Sequence, residues 1–304
     1  MTAEIISVGT ELLLGNILNT NAQYLSRELA ALGITVRRQS TIGDNQDRLA
    51  DFVNEAKQRC DLLENPNPTA AIYCKTGECE IRITARAQND AEAQTMCRAY
   101  AKKFYDLLGD AVYDEDVAGL EETVVHTLQA NGLTIATAES CTGGMIAQRL
   151  TSVSGASEVF GYGFVTYWEQ AKAKLVGVDP AVIAQYNVVS APVAAQMALG
   201  AAKAAGADIA VSVTGLAGPG GGDAVRPVGT VYLGAARGDK AYVKKLFVSR
   251  PDRALIRARA AQTALELALR LAQGKTPAGT QVLAESAQHD PAALTALDET
   301  LRAE

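Results

Sequence analysis

The stretch Thr134 to Gly144, Thr-Ile-Ala-Thr-Ala-Glu-Ser-Cys-Thr-Gly-Gly, constrains the fold more than any other part of the chain. The apolar run Leu133 to Ala138 predicts a buried strand, Gly143-Gly144 a turn that lets backbone approach a ligand, and Met145 to Leu150 the start of an amphipathic helix. Strand, glycine turn and helix in that order belong to an α/β layer. Ser140 and Thr142 then stand at a helix N-terminus, where unpaired N–H groups and the helix dipole favour an anion or a developing oxyanion. Many α/β proteins use a Ser or Thr at such a turn only to cap the helix, so the stretch by itself is compatible with a cap or a site.

A chain of 304 residues has room for one large or two to three modest domains. With 48% hydrophobic and 20% charged residues it reads as an ordinary soluble protein, and its formal net charge of −6 argues against a general nucleic-acid binder, which needs a basic face. No apolar run of about eighteen residues appears, and Met1-Thr2-Ala3-Glu4 lacks a basic start followed by an apolar core. The expectation is therefore a cytoplasmic protein with no membrane and no nucleic-acid partner. Five scattered cysteines, Cys60, Cys74, Cys79, Cys97 and Cys141, lack zinc-site spacing and predict reduced, mostly buried thiols, although Cys74 and Cys79 could meet across a hairpin. Only two histidines occur, His126 on a predicted helix and His289 in a polar tail. Any catalytic base must then come from Lys, Tyr, Asp or Glu.

Glu4 to Val8, a helix from Asn21 to Leu32 closed by Gly33, a strand Ile34 to Arg38, a turn at Gly43-Asp44-Asn45 and a helix Asp47 to Gln58 read as the opening of a doubly wound domain. Cys60 to Leu63 begins a third strand, and then Glu64-Asn65-Pro66-Asn67-Pro68 interrupts the pattern. So thin a layer cannot cover both faces of a parallel sheet, which marks residues 1–63 as an incomplete domain. Thr69 to Ala87 predicts a hairpin turning at Lys75-Thr76-Gly77-Glu78 with one wet face, followed by a helix Asp90 to Leu108. Residues 68–115 thus form a small α+β module, whose exposed arginines suit a solvated surface.

The main α/β domain is expected over residues 116–273. Leu120 to Gln129 is a helix leading through Asn131-Gly132 into the organising strand, Ser152 to Ser157 a hydroxyl-rich loop, and Val159 to Tyr167 an aromatic strand. Glu169 to Val176 is a short helix, so Tyr167 and Lys172, five positions apart, can lean into one cleft; a solvated lysine is the alternative. Ser190 to Ala205 is a helix and Asp208 to Thr214 a central strand that delivers a second glycine-rich loop, Thr214 to Gly222, at its carboxyl end, where open α/β sheets bind ligands. A hairpin over Val228 to Val248 and a helix Arg253 to Leu271 follow, the latter with Arg253 and Arg257 one turn apart and able to clamp a phosphate. Residues 274–304 are expected to be a polar tail with at most a weak helix over Ala292 to Arg302.

In this reading the Ser140 turn, the Ser157 loop and the Thr214 loop converge. With Tyr167, Lys172 and the arginines they suggest a hydrolase site without histidine. Serine needs a base, and a lysine desolvated enough to be neutral can serve as one. The glycine turn would supply oxyanion donors, while Glu139 is expected to point to the opposite face of its strand.

Ala138 to Gly144, Gly163-Phe164-Val165-Thr166-Tyr167 with Ala171-Lys172, Val189-Ser190, Thr214 to Pro219 and Pro227 to Val231 together resemble the nicotinamide-nucleotide amidase domain of the CinA competence/damage-inducible family. Gly9 to Gly15 and Asn19-Thr20-Asn21 resemble the start of that family's molybdopterin-binding-like domain, and Lys75 to Glu78 its small connecting module. The resemblance implies hydrolysis of the carboxamide of nicotinamide mononucleotide to the nicotinate nucleotide and ammonia, without metal or cofactor. It implies Ser140, Ser157, Tyr167 and Lys172 as the reacting groups, and Thr142, Gly143, Gly144, Thr214, Gly215, Arg253 and Arg257 as substrate contacts. Either serine could be the nucleophile. A homo-oligomer, a dimer, is also expected.

Two departures accompany it. Trp168-Glu169 replaces a small polar pair expected after the tyrosine, and the family's Thr-Gly-Gly-Leu-Gly-Pro-Thr and Pro-Gly-Pro-Pro segments are missing between Leu63 and Pro68. A pyrophosphatase acting on ADP-ribose in the front domain, or a nucleotide-binding regulator that breaks no bond, are the competing readings.

Overall fold

The computed structural model describes residues 2–8, 19–31, 34–42, 51–53, 55–56, 67–75 and 77–303. Its chain separates into two units, Met1–Val112 and Tyr113–Glu304. The expected Gly9 to Gly15 loop, the Gly43 turn and the Cys60 to Leu63 strand lie outside the described residues.

In the first unit, β1 (Thr2–Val8) pairs in parallel with β2 (Thr35–Ile42), and α1 (Thr20–Ala31) connects them. The hairpin β3 (Thr69–Lys75) and β4 (Glu78–Thr84) pairs antiparallel, bringing the backbones of Cys74 and Cys79 into register. Its Arg82 and Thr84 are exposed and Ile81 and Ile83 partly covered, as the alternation predicts. Helix α2 (Asp90–Leu108) starts at Asn89, whose side chain accepts from the Glu92 amide, and it buries Tyr100 and Phe104 edge to face.

The second unit is a three-layer α/β sandwich. Its elements are α3 (Leu120–Asn131), β5 (Ile135–Glu139), α4 (Met145–Thr151), β6 (Phe160–Val165), α5 (Glu169–Val176), α6 (Pro180–Tyr186), α7 (Ala191–Ala205), β7 (Ile209–Gly215), β8 (Thr230–Arg237), β9 (Lys240–Phe247), α8 (Arg253–Ala272), β10 (Gln281–Ala284) and α9 (Pro291–Ala303). The sheet order is β10-β9-β8-β7-β5-β6, with β6, β5 and β7 parallel and the rest antiparallel. Alternate residues face opposite layers: Ile135, Val211, Val213 and Leu233 pack with α3 and α8, whereas Ala136, Ala138, Ala210 and Tyr232 pack with α7 and α9. Both faces are covered, which is why the central strands read as continuous apolar runs.

Close approach fixes the helix that carries Lys172. A Cβ on Gly200 of α7 would sit 1.7 Å from the carbonyl oxygen of Val176, so only glycine lets α7 press against the end of α5.

The C-terminal segment departs from the expected tail. β10 adds to the sheet edge beside β9, and α9 buries Leu294, Leu297 and Leu301. These leucines lie on one helical stripe that binds the α7 face of the sheet, and the alanines and charged residues between them mask the pattern in the sequence. Helix α6, started by the Asp179 side chain with Pro180 at its first turn, is a further element the sequence reading omitted. Among the described residues no helix is long and apolar enough to cross a membrane.

Candidate active site

The site forms at the carboxyl ends of β5, β6 and β7. Two backbone hydrogen bonds bind these ends together: the Ser140 amide donates to Val213 O at 3.0 Å, and the Thr166 amide donates to Glu139 O at 2.8 Å. Past Ser140 the chain makes a turn in which Gly143 and Gly144 take φ of 61° and 96°, a left-handed conformation that favours glycine.

Lys172, on α5, has its side chain wholly buried. Its Nζ donates to Thr166 O at 2.7 Å and to Ser140 Oγ at 3.1 Å. Burial penalises the ammonium and pulls the lysine down to about 8 from an ordinary value of 10.5, only partly opposed by Cys141 and Glu169. Cys141, next to the serine, is buried and pushed up to about 11, again chiefly by desolvation, so it stays a neutral thiol near neutral pH. A hydroxyl and an amine of lowered basicity thus meet at hydrogen-bond distance, the arrangement in which an amine can take a proton from an attacking alcohol.

Glu139 occupies the helix terminus. Its carboxylate, 1% exposed, accepts from the amides of Gly144 at 3.0 Å, Ile146 at 3.0 Å and Ala147 at 2.9 Å. These are the N–H groups expected to await a substrate anion. The expectation is corrected because an acidic side chain one residue before the serine turns under the strand and caps α4 itself. The amides of Cys141 and Thr142 make no backbone–backbone hydrogen bond among the described residues, the Cys141 amide lying against its own thiol, while Gly143 and Met145 donate within the turn to Ser140 O and Thr142 O.

Ser157 is not at the site. It is exposed in the 3-10 turn Ala156–Glu158, before β6, whereas Lys172 follows the other end of that strand. The six residues of β6 separate the two ends by roughly 20 Å at about 3.3 Å per residue. The hydroxyl-rich composition of its loop suits a turn between α4 and β6, and Ser140 is the serine the fold brings to the lysine.

The remaining candidates surround the turn in other roles. Arg257 Nε donates to Cys141 O at 3.0 Å and its Nη2 to Thr142 O at 2.7 Å, so this arginine clamps the serine turn. Arg253, exposed, donates to Gly218 O at 2.7 Å and to the Tyr167 hydroxyl at 3.2 Å. Tyr167 is therefore tied to Arg253. Thr214 is buried and donates to Val188 O at 2.7 Å, fixing the loop rather than offering its hydroxyl to a ligand. Gly215 ends β7 against Val231, where a Cβ would approach Val231 Cγ2 to 2.7 Å. Thr142 Oγ1 is buried without a hydrogen-bond partner. Thr166, whose carbonyl accepts from Lys172, and Glu139 both fall inside the motif segments, yet the sequence reading gave Thr166 no role and turned Glu139 to the opposite face of its strand. Nothing in their spacing signals that one holds the lysine and the other caps α4.

Profile matches cover the chain in the same order as these units: a probable molybdopterin binding domain over residues 4–63, the damage-inducible protein CinA KH domain over 47–113, and the CinA C-terminal domain over 117–272. The chain belongs to the CinA family. A CinA-like protein of Kosmotoga olearia is 33% identical over 407 residues, covering 89% of this chain and 98% of the relative. A competence-damage inducible protein of Thermoanaerobacter pseudethanolicus is 31% identical over 410 residues, covering 90% and 99%. Both alignments exceed the 304 residues of this CinA-family chain, so an internal part of each relative has no counterpart here. Among solved structures, the competence/damage inducible protein CihA from Agrobacterium tumefaciens superposes with a TM-score of 0.50 at 39% identity, covering 53% of this chain and 98% of that one. The Ser140–Lys172 pair lies within the matched CinA C-terminal domain, whereas β10 and α9 lie beyond it.

Proposed function

We propose that the second unit is an amidohydrolase that removes ammonia from the carboxamide of nicotinamide mononucleotide, with Ser140 as nucleophile and Lys172 as base. The contact between Lys172 Nζ and Ser140 Oγ carries this reading, because it holds a buried amine, lowered to about 8, within proton-transfer distance of a serine hydroxyl at 3.1 Å. The neutral amine accepts the Ser140 proton as Oγ adds to the carboxamide carbon. We assign the Cys141 and Thr142 amides, which no backbone carbonyl takes up among the described residues, as donors to the developing oxyanion. On collapse the Lys172 ammonium gives its proton to the leaving nitrogen, releasing ammonia and an ester on Ser140. Water, deprotonated by the same lysine, then hydrolyses the ester to the nicotinate nucleotide.

Arg253, exposed at the rim with the Tyr167 hydroxyl, is the group suited to a substrate phosphate. The experiment is product analysis of nicotinamide mononucleotide incubated with the purified chain, with and without chelator. Ammonia and nicotinate mononucleotide formed at equal rates in both arms support the reading. Absence of product from the wild-type chain across pH 7 to 9 would sink it.

A further inference from the structure

A cavity of about 950 Å³ opens on the side of α5 away from Lys172 and shares no residue with the Ser140 turn. Helix α5 divides the two: Lys172 faces the serine, whereas Gln170, Ala173 and Lys174 line the cavity. Pro180, Ile183 and Ala184 of α6 supply an apolar wall, with the buried ring of Tyr186 at its end. Two guanidinium groups converge on the same space from separate parts of the chain. Arg226 comes from the loop after β7, its side chain 17% exposed, donating to Tyr186 O at 3.3 Å and paired with Asp223 at 3.2 Å. Arg302 comes from α9 and is held from behind by Asp298 at 2.7 Å. Each has five N–H donors and spends only some of them on its anchor. Among the lining residues Glu169 is the one carboxylate against three cations, Lys174, Arg226 and Arg302. An apolar wall, two guanidinium groups and the side-chain amides of Gln185 and Asn187 lining one space suit a ring that carries a phosphate, and the volume is that of a small-molecule site.

We propose that this cavity is a second ligand site, for a nucleoside monophosphate, placed on the back of the helix that positions Lys172. Its binding is independent of the amidase reading; only its influence on rate rests on that reading. One lining residue, Arg302, comes from α9, outside the segment matched by the CinA C-terminal domain, and the other lining residues lie within that segment.

The test uses the full chain and adenosine monophosphate as probe, measured by equilibrium dialysis. One equivalent is expected to bind, with binding retained in Ser140→Ala and Lys172→Met and weakened at least tenfold in Arg226→Gln, Arg302→Gln and Ala184→Phe. The last variant crowds the apolar wall without removing a charge or a side-chain hydrogen bond, and so answers the question even if the Arg226 variant fails to fold. No binding at millimolar probe, binding indifferent to all three cavity variants, or binding lost in Lys172→Met would overturn the site. A rate of ammonia release that changes with the probe in the wild-type chain but not in Ala184→Phe supports the coupling through α5. Binding with an unchanged rate overturns that coupling.

Discussion

Lys172 Nζ sits 3.1 Å from Ser140 Oγ and 2.7 Å from the Thr166 carbonyl, inside a pocket of backbone that excludes water from the amine. Because burial lowers this lysine to about 8, the fraction able to act as base grows tenfold per pH unit below that value and levels above it. Ammonia release is expected to rise with pH and flatten above about 8. Lys172→Met should lower kcat by about a thousandfold or more, in the range found for removal of a reacting group. The same shift enters stability. Between about 8 and the unfolded value near 10.4 the unfolded chain binds more protons than the folded one, so stability should increase with pH across that window. A urea titration of wild type and Lys172→Met checks this: only the wild type should gain from pH 8 to 10. A rate profile that is flat from pH 6 to 9 would remove lysine from the mechanism.

Ser140 and Ser157 make a matched pair for testing which hydroxyl reacts. Ser140→Ala should abolish ammonia release with little change in fold, since the serine side chain is hydrogen-bonded to Lys172 alone among the contacts described. Ser157→Ala, in an exposed turn, should leave kcat and KM within about twofold. Loss of activity in the Ser157 variant and survival in the Ser140 variant would reverse the assignment.

Glu139 connects the stability of the fold to the shape of the site. Its carboxylate satisfies three amides of α4, so Glu139→Ala leaves buried donors unpaired and should cost on the order of 3 kcal/mol or more. Glu139→Gln keeps one acceptor oxygen and should cost less, about 1 to 2 kcal/mol, with a larger loss in kcat than in KM because the Ser140 turn loosens. Denaturant midpoints and steady-state kinetics on both variants separate the two effects. Equal stability of Glu139→Ala and wild type would show that the cap is dispensable.

Much of the second unit was legible because its local signals agree with its tertiary setting. The strand-glycine-helix passage at Thr134 to Gly144, the apolar run before Thr214 and the Lys172 helix all fold as their patterns predict. What the sequence could not show was direction in space. Ser140 and Ser157 are both hydroxyls beside small residues, and only the course of β6 places one at the lysine and the other at the far end. Arg257 looked like a ligand clamp because spacing cannot distinguish a guanidinium facing solvent from one consumed by the carbonyls of Cys141 and Thr142. The tail was misread for a related reason: Leu294, Leu297 and Leu301 become a stripe only when α7 and β9 offer a surface to cover.

Arg253 and Arg257 should separate in kinetics. Arg253 is exposed and bonded to Tyr167, so Arg253→Ala is expected to raise KM for a phosphorylated substrate by about tenfold, with kcat changed less. The same variant should treat nicotinamide riboside, which lacks the phosphate, no differently from wild type. Arg257→Ala frees two turn carbonyls and should lower kcat for both substrates. Identical behaviour of the two variants on both substrates would contradict this division.

The C-terminal elements should be integral to the second unit. Leu301 is fully buried and Leu297 is 6% exposed, both against the α7 side of the sheet, while β10 covers the edge of β9. Burying an aliphatic side chain contributes roughly 1.5 to 3 kcal/mol, so Leu283, Leu294, Leu297 and Leu301 together approach the whole stability of an ordinary domain. A chain ending at Gly274 is therefore expected to be insoluble or to lose its cooperative unfolding transition, whereas a mere tail could be removed without effect. The milder change Leu301→Ala leaves a cavity between α9 and its neighbours and should cost about 2 to 5 kcal/mol. Urea unfolding followed by far-UV circular dichroism measures that loss, and a Leu301→Ala midpoint equal to that of wild type would show that α9 contributes nothing to the sandwich.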